Sequence, residues 1–482
     1  MIATMLAAVA ALANGAAAAT PPPAAIQARS APPLTLSEVL QASARSAPQI
    51  VEALARSRQA EGRALAADGA FDTMFEVDAR QRTLGYYNGS VVESRATQPL
   101  SSNGGYVYGG YRVSRGDFPV YEDQAYTNRA GEVKVGALYS LLRDRLIDER
   151  RSKRTLAASD INIARFEAAA VKIGVQRRTI DAYQSWVAAG LRLRAYRELL
   201  ELAERRRGGI SRQVQLGARP DILLIENDQN LVRRRALVVR AEQDFASAAN
   251  ALSLYYSDSA GQPLLVGADR LPADASALAG PSVRRSGPPT ARPDVQQLLL
   301  RVEQSAVKLA VAQNDLRPRL DLRGDVSKDL GQEGVGGRSR TPLEASVGVR
   351  LSVPLQNRAA KGRLAEARAE IDALEARSRF LRDQITVEVE GINIAVDGAV
   401  RLAEAAEQES ALADRLAAAE RRRFELGSSD FFLVNQREET ANDARVRLID
   451  AKARIASARA ELAAATADWA ALGLPPQDDT VP

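Results

Sequence analysis

From Glu344 to Val353 the chain reads EASVGVRLSV, with Ala345, Val347, Val349, Leu351 and Val353 on every second residue and polar residues or glycine between them. This period-2 alternation predicts a strand with one apolar and one polar face. Two settings give the same pattern. In a half-buried soluble strand the apolar side meets a core; in a membrane barrel it meets lipid while the polar side meets a wet lumen. FEVDAR at Phe75, EVKVGALYSLL at Glu132 and LDLRGDV at Leu320 alternate in the same way. Four such strands are predicted.

The pattern then changes period. From Arg358 to Leu426 there is no proline, and Leu364, Ile371, Ile385, Ile392 and Ala399 lie at multiples of seven, with Ala367, Leu374 and Leu381 on the companion seam. At 1.5 Å per residue, a helix of that span is about 100 Å long. A second long run covers Arg150 to Arg207. Each is followed by a Gly-containing turn and another apolar-periodic run, Ile222 to Tyr256 and Phe431 to Leu472. Two long helical hairpins are expected.

Each hairpin has the same prelude: a helix (Thr35 to Ala67; Pro293 to Asn314), a strand, a loop, and a second strand. An internal repeat of this kind decides architecture before any single motif. The expected organisation is a first repeat over 35–257, with a strand pair about 71–142 and a hairpin about 143–257. A Pro/Gly-rich linker over 258–292 follows. The second repeat covers 293–472, with a strand pair about 318–356 and a hairpin about 358–472, and leaves a tail over 473–482. The first strand region holds about 30 residues more than the second, so 87–130 form either an external loop or extra strands. The turns also match. RQVQLGARPDILLIEN (Arg212 to Asn227) and RRFELGSSDFFLVNQ (Arg422 to Gln436) each place Leu-Gly shortly before an aspartate and an apolar helix start. Gly217 and Gly427 suit a left-handed helix end, and Asp221 and Asp430 suit N-caps.

Composition removes most chemistry. Cysteine and histidine are both absent, which excludes nucleophile and base arrangements built on them, zinc sites with such ligands, and disulfides. No phosphate-binding loop is present, since GQEGVGG (Gly331 to Gly337) lacks lysine and leads into no helical run. No catalytic, cofactor-binding or metal-binding residue is assigned. The net charge of +5 is small against 65 basic and 60 acidic residues that are interspersed, so no basic face for nucleic acid is expected. Arg and Glu neighbours on helices read as solvated faces.

Residues 1–19 carry no charge and end in small side chains, which predicts a secretory signal peptide, followed by a Pro/Ala-rich leader over 20–34. No other window reaches 18 uninterrupted apolar residues. Any membrane crossing therefore falls to the strands. Four amphipathic strands leave unpaired edges, which lipid does not tolerate. Three chains supply twelve strands, enough to close a wide barrel. Eight of the twelve tyrosines lie between Tyr86 and Tyr139, beside the first strand pair, as an aromatic girdle or an ordered external loop would place them.

At this point the sequence resembles the TolC-like outer-membrane factors of tripartite efflux and type I secretion systems. LTLSEVLQASARSAPQI, GAFDTMFEVDA, DLRPRLDLRG, SLLRDRLIDERR, SVPLQNRAAKGR and the two Leu-Gly turns carry the likeness, in that family's order and duplicated. The resemblance implies a mainly α chain with a transmembrane β-barrel. It implies a homotrimer, a twelve-stranded barrel in the outer membrane of a Gram-negative bacterium, and a periplasmic α-helical tunnel. It further implies passive conduction, with no enzymatic step. The partners implied are a periplasmic adaptor (membrane fusion protein), an inner-membrane pump of the RND, ABC or MFS class, and outer-membrane lipid.

The family's adaptor-docking motifs fall on Val214, Gln215, Leu216 and Gly217 and on Phe424, Glu425, Leu426 and Gly427. Phe424 stands at the position of the family's constricting tyrosine, and Asp221 matches an entrance aspartate. Ser429 stands where some members have arginine, and Leu433 and Gln436 stand at acidic ring positions. Arg219, Asp430, Arg437 and Glu438 are therefore substitute candidates for charged contacts at the periplasmic entrance. Two alternatives are a periplasmic coiled-coil adaptor, which normally has one hairpin flanked by soluble β-domains, and a structural coiled-coil protein, which lacks alternating strands.

Overall fold

The computed structural model describes residues 32–258, 260–283, 292–335 and 342–475. The expected signal peptide lies outside them. The chain opens with helices α1 (Leu36–Ser46) and α2 (Pro48–Asp68). One helix was expected there, but Pro48 at the first turn of α2 leaves Ala47 extended and divides it. Strands β1 (Met74–Gln81), β2 (Ser90–Pro99), β3 (Tyr106–Arg115) and β4 (Glu132–Ser140) follow, then the hairpin α3 (Glu149–Gln215) and α4 (Ile222–Ser253). The second repeat comprises α5 (Pro293–Asp315), β5 (Arg319–Asp329), β6 (Glu344–Ser352), α6 (Arg358–Glu425) and α7 (Phe431–Ala465).

All six strands form one antiparallel sheet in the order β1-β2-β3-β4-β5-β6. The count of four strands per chain is thus corrected to six. Residues 87–130, open between a loop and extra strands, contribute β2 and β3. No helix among the described residues is long and apolar enough to cross a membrane.

The long helices pack through heptad seams. On α4 the buried residues include Asn227, Leu231, Arg234, Val238 and Ala241, spaced four and three alternately. Between α6 and α7 the seam is alanine: Ala413 and Ala417 meet Ala441 and Ala444. Small side chains let the two helices approach closely there. Larger side chains gather around the middle of α3, where Tyr183, Trp186 and Val187 pack with Leu34, Val39, Leu252 and Leu278.

The start of α1 is tied to the linker by Glu38. Arg270 donates to both its oxygens (2.9 and 3.2 Å), and the Tyr256 hydroxyl donates at 2.6 Å. Partial burial opposes the charge of Glu38, but these donors outweigh it and hold the carboxyl below its ordinary 4.5. A depressed carboxyl contributes stability above pH 4.5 and loses it as pH falls through the folded value. Because the side chain is 41% exposed, the effect is small. Hydrogen exchange in residues 36–46 should quicken modestly as pH falls well below 4.5, and Glu38→Gln should remove that dependence; equal pH response in both proteins would refute the assignment.

Candidate functional site

Two regions gather the residues singled out by sequence: the sheet and the ends of the helical hairpins. In the sheet, pairing lines the residues up in rows that belong alternately to two faces. Phe75, Ala96, Gly109, Val135, Val326 and Ala345 stand opposite one another in succession across all six strands. The next row is Glu76, Arg95, Gly110, Lys134, Ser327 and Glu344. The apolar face is uncovered: Phe75, Val77, Val92, Val135, Val347, Val349 and Leu351 are all exposed. An exposed apolar patch this continuous marks a contact with lipid or protein rather than water.

The polar face is cross-linked by charge. Arg112 pairs with Glu132 (2.5 Å) and Lys134 with Asp325 (3.1 Å), and the Ser346 hydroxyl donates to Asp325 (2.8 Å). The Arg95 guanidinium lies over the Tyr108 ring. These residues line an open cavity of about 690 Å³. The sheet therefore separates a wet, charged side from an apolar one.

At the far end of the hairpins the two turns have the same backbone. Gly217 and Gly427 take φ of 71° and 75°. The Gly217 N–H donates to Val214 O and the Ala218 N–H to Gln213 O. In the second turn Gly427 N–H donates to Phe424 O and Ser428 N–H to Arg423 O. Both are Schellman ends, in which a left-handed glycine lets two N–H groups satisfy the last carbonyls. Leu216 and Leu426 are each 77% exposed; Gln215 and Glu425 are exposed, Val214 and Phe424 half-buried. The two Leu-Gly turns thus present equivalent apolar knobs to solvent.

The capping expectation holds for one turn only. Asp430 is extended (φ −93°, ψ 163°) and accepts from the Leu433 N–H at 2.7 Å. Asp221 makes no side-chain cap bond, because its backbone is already helical (φ −60°, ψ −28°) and its carboxylate is not turned toward the helix start. Asp221 stays exposed, as does Gln436; Arg437 is half-buried.

Arg219 links the turns. Its guanidinium sits 5.6 Å from the Phe424 ring centre, Phe424 meets Phe431 at 6.4 Å, and Arg206 stands 5.9 Å from the Phe431 ring. Arg206 in turn donates to Asn435 Oδ1 (2.8 Å) and to the Glu438 carboxylate. Arg234 donates to the other Glu438 oxygen (3.4 Å) and to the Leu199 carbonyl (3.0 Å). Burial, together with the neighbouring Arg206 charge, lowers the Arg234 pKa, and Glu438 opposes that shift. Glu438, singled out as an entrance charge, is therefore enclosed within one chain, its side chain 2% exposed. Sequence reading passed over Arg206, Arg234 and Asn435. The heptad phase of α4 would have found Arg234, since it falls in the buried seam between Leu231 and Val238.

Residues 290–468 match the family model described as outer membrane efflux protein. No curated protein matches the sequence. Among solved structures, a Pseudomonas aeruginosa membrane protein is 18% identical with a TM-score of 0.61, over 89% of this chain and 90% of that one. The Campylobacter jejuni CmeC outer membrane channel is 15% identical, TM-score 0.61, over 92% of this chain and 87% of that one. The open state of the Neisseria gonorrhoeae MtrE outer membrane channel is 15% identical, TM-score 0.61, over 91% and 89%. An outer membrane efflux protein domain thus covers the second repeat, and the chain as a whole has the fold of these outer membrane channels.

Proposed function

We propose that the chain is the outer-membrane channel of a tripartite efflux or type I secretion system: a passive trimeric conduit from periplasm to exterior. The observation that carries this reading is the uncovered apolar sheet face joined directly to helices of 67 and 68 residues. The sheet seats in the outer membrane of a Gram-negative bacterium, and the hairpins reach about 100 Å into the periplasm.

Trimer formation is supported by two unpartnered stripes. Along the helical layer α4 packs on α3, α3 on α7 and α7 on α6, so α4 and α6 are its flanks. Ile225, Val232 and Val239 on α4 are exposed at intervals of seven, and Leu402, Leu412 and Leu416, at a similar distance from the turn on α6, are exposed too. Apolar stripes of this kind suit packing of one copy's α4 against the next copy's α6. Three copies of four helices enclose a tunnel.

The channel makes and breaks no bond. Its entrance is held by the contacts from Arg219 to Glu438, and a periplasmic adaptor docked on the two Leu-Gly turns favours a splayed arrangement. Energy comes from an inner-membrane pump, of the RND, ABC or MFS class. The entrance charges assigned to Arg219, Asp221, Asp430 and Arg437 tune passage.

Docking is tested at the glycines. A β-carbon at Gly217 or Gly427 meets nothing within 4 Å, so the penalty is the left-handed φ alone, about 1–2 kcal/mol. Gly217→Trp and Gly427→Trp should leave the trimer intact and abolish export in cells. Folded tryptophan variants with full export would mean that the turns are not the docking surface.

A further inference from the structure

The β2–β3 hairpin makes the sheet two strands wider than the sequence pattern implied. Its place is in the middle of the sheet. β1 pairs with β2 and β3 with β4, so β1 and β4 are held two strands apart. The hairpin also carries the same two faces as the strands around it: Val92 and Val113 stand opposite each other on the apolar side, Glu93 and Arg112 on the polar side. Tight packing joins it to β4, since a β-carbon at Gly136 would come within 2.6 Å of the Tyr108 ring. A hairpin folded back over the membrane surface would need neither the shared register nor the shared faces.

Both edge strands, β1 and β6, are exposed along their whole length. With every neighbouring pair antiparallel, the first and sixth strands run in opposite directions. The β6 edge of one copy therefore meets the β1 edge of a second copy with the polarity an antiparallel ladder requires. Lipid leaves no alternative for these unpaired N–H and C=O groups except closure.

We propose that this chain closes an eighteen-stranded barrel, six strands from each of three copies, with β6 paired to the next copy's β1 and the β2–β3 hairpin built into the wall. Barrel diameter grows roughly linearly with strand number, so the pore through the membrane is about half as wide again as a twelve-stranded one. The inference rests on the trimeric channel reading and extends it: the membrane portion admits bulkier cargo than the twelve-stranded barrel implied by resemblance.

The absence of native cysteine makes the test clean. Single cysteines replacing Val92, Val113, Glu93 and Thr97 are labelled with a fluorophore in the trimer reconstituted into vesicles containing brominated lipid. Emission should be quenched at 92 and 113 and spared at 93 and 97. In parallel, Val77→Cys is combined in turn with cysteine at 345, 347, 349 and 351, and one combination should give a covalent trimer on oxidation. A trimer whose labels at 92 and 113 are unquenched and open to a water-soluble thiol reagent would overturn the eighteen-stranded wall and leave the channel reading standing. A folded monomer by light scattering would overturn both.

Discussion

Arginine in place of Val347 or Val349 should weaken membrane assembly by about 2–4 kcal/mol per chain near mid-bilayer, whereas arginine at Ser346 should leave assembly nearly unchanged and alter conductance. Val347 and Val349 are 80% and 65% exposed and stand opposite Gly324 and Leu322 on the apolar face. In the proposed trimeric channel a guanidinium there enters hydrocarbon, and three copies carry three of them. Ser346 lies one residue away but on the other face, where its hydroxyl already bonds Asp325. An arginine at that point gains a carboxylate and keeps water. Gly348 shares this face but stands opposite Arg323, so Gly348→Arg should add a like-charge penalty of about 0.2–1 kcal/mol, still well below the apolar-face cost. The fraction of protein recovered as outer-membrane trimer measures the difference. Equal losses on both faces would identify the sheet as a soluble core and remove the membrane from the account.

How far the sequence disclosed this arrangement follows from side-chain chemistry strand by strand. β6 was legible because Ala345, Val347, Val349 and Leu351 all fall on one parity. β2 and β3 were not. Val91 and Val92 put apolar groups on both faces, and Tyr106 and Tyr108 place aromatic rings on the polar face of β3, so alternation blurs in both strands. The Gly109-Gly110 pair adds a turn signal where the backbone in fact stays extended in the middle of a strand. The long helices were legible from heptads and missing prolines, yet the cluster at Glu438 was hidden. Within Arg233-Arg234-Arg235 only the central residue occupies the buried phase, and composition alone treats the three alike. Polar residues that serve packing leave no signal except their phase.

That cluster carries the second large effect. Glu438→Ala should loosen the entrance end of the bundle while leaving barrel and trimer in place. Glu438 accepts from Arg206 on α3 and Arg234 on α4 while itself belonging to α7, so one carboxylate ties the first hairpin to the second. The Arg234 side chain is 1% exposed. Removing the carboxylate leaves two guanidiniums facing each other without the counter-charge they share, and breaking a buried pair in this way costs about 3–5 kcal/mol. The bundle has a way to relieve the strain: α7 can part from the α3–α4 hairpin and admit water, which is the motion an opening entrance needs. The expected readings are faster hydrogen exchange across 199–234 and 431–442 and a larger open fraction in planar bilayers, with trimer recovery unchanged. Replacing Arg206, Arg234 and Glu438 together by methionine, methionine and leucine removes the charges without stranding any, and should return exchange and open fraction toward the parent values. If Glu438→Ala leaves both readings at parent values, the cluster is a packing feature, and closure of the entrance must rest on contacts nearer the turns, beginning with Arg219 over Phe424.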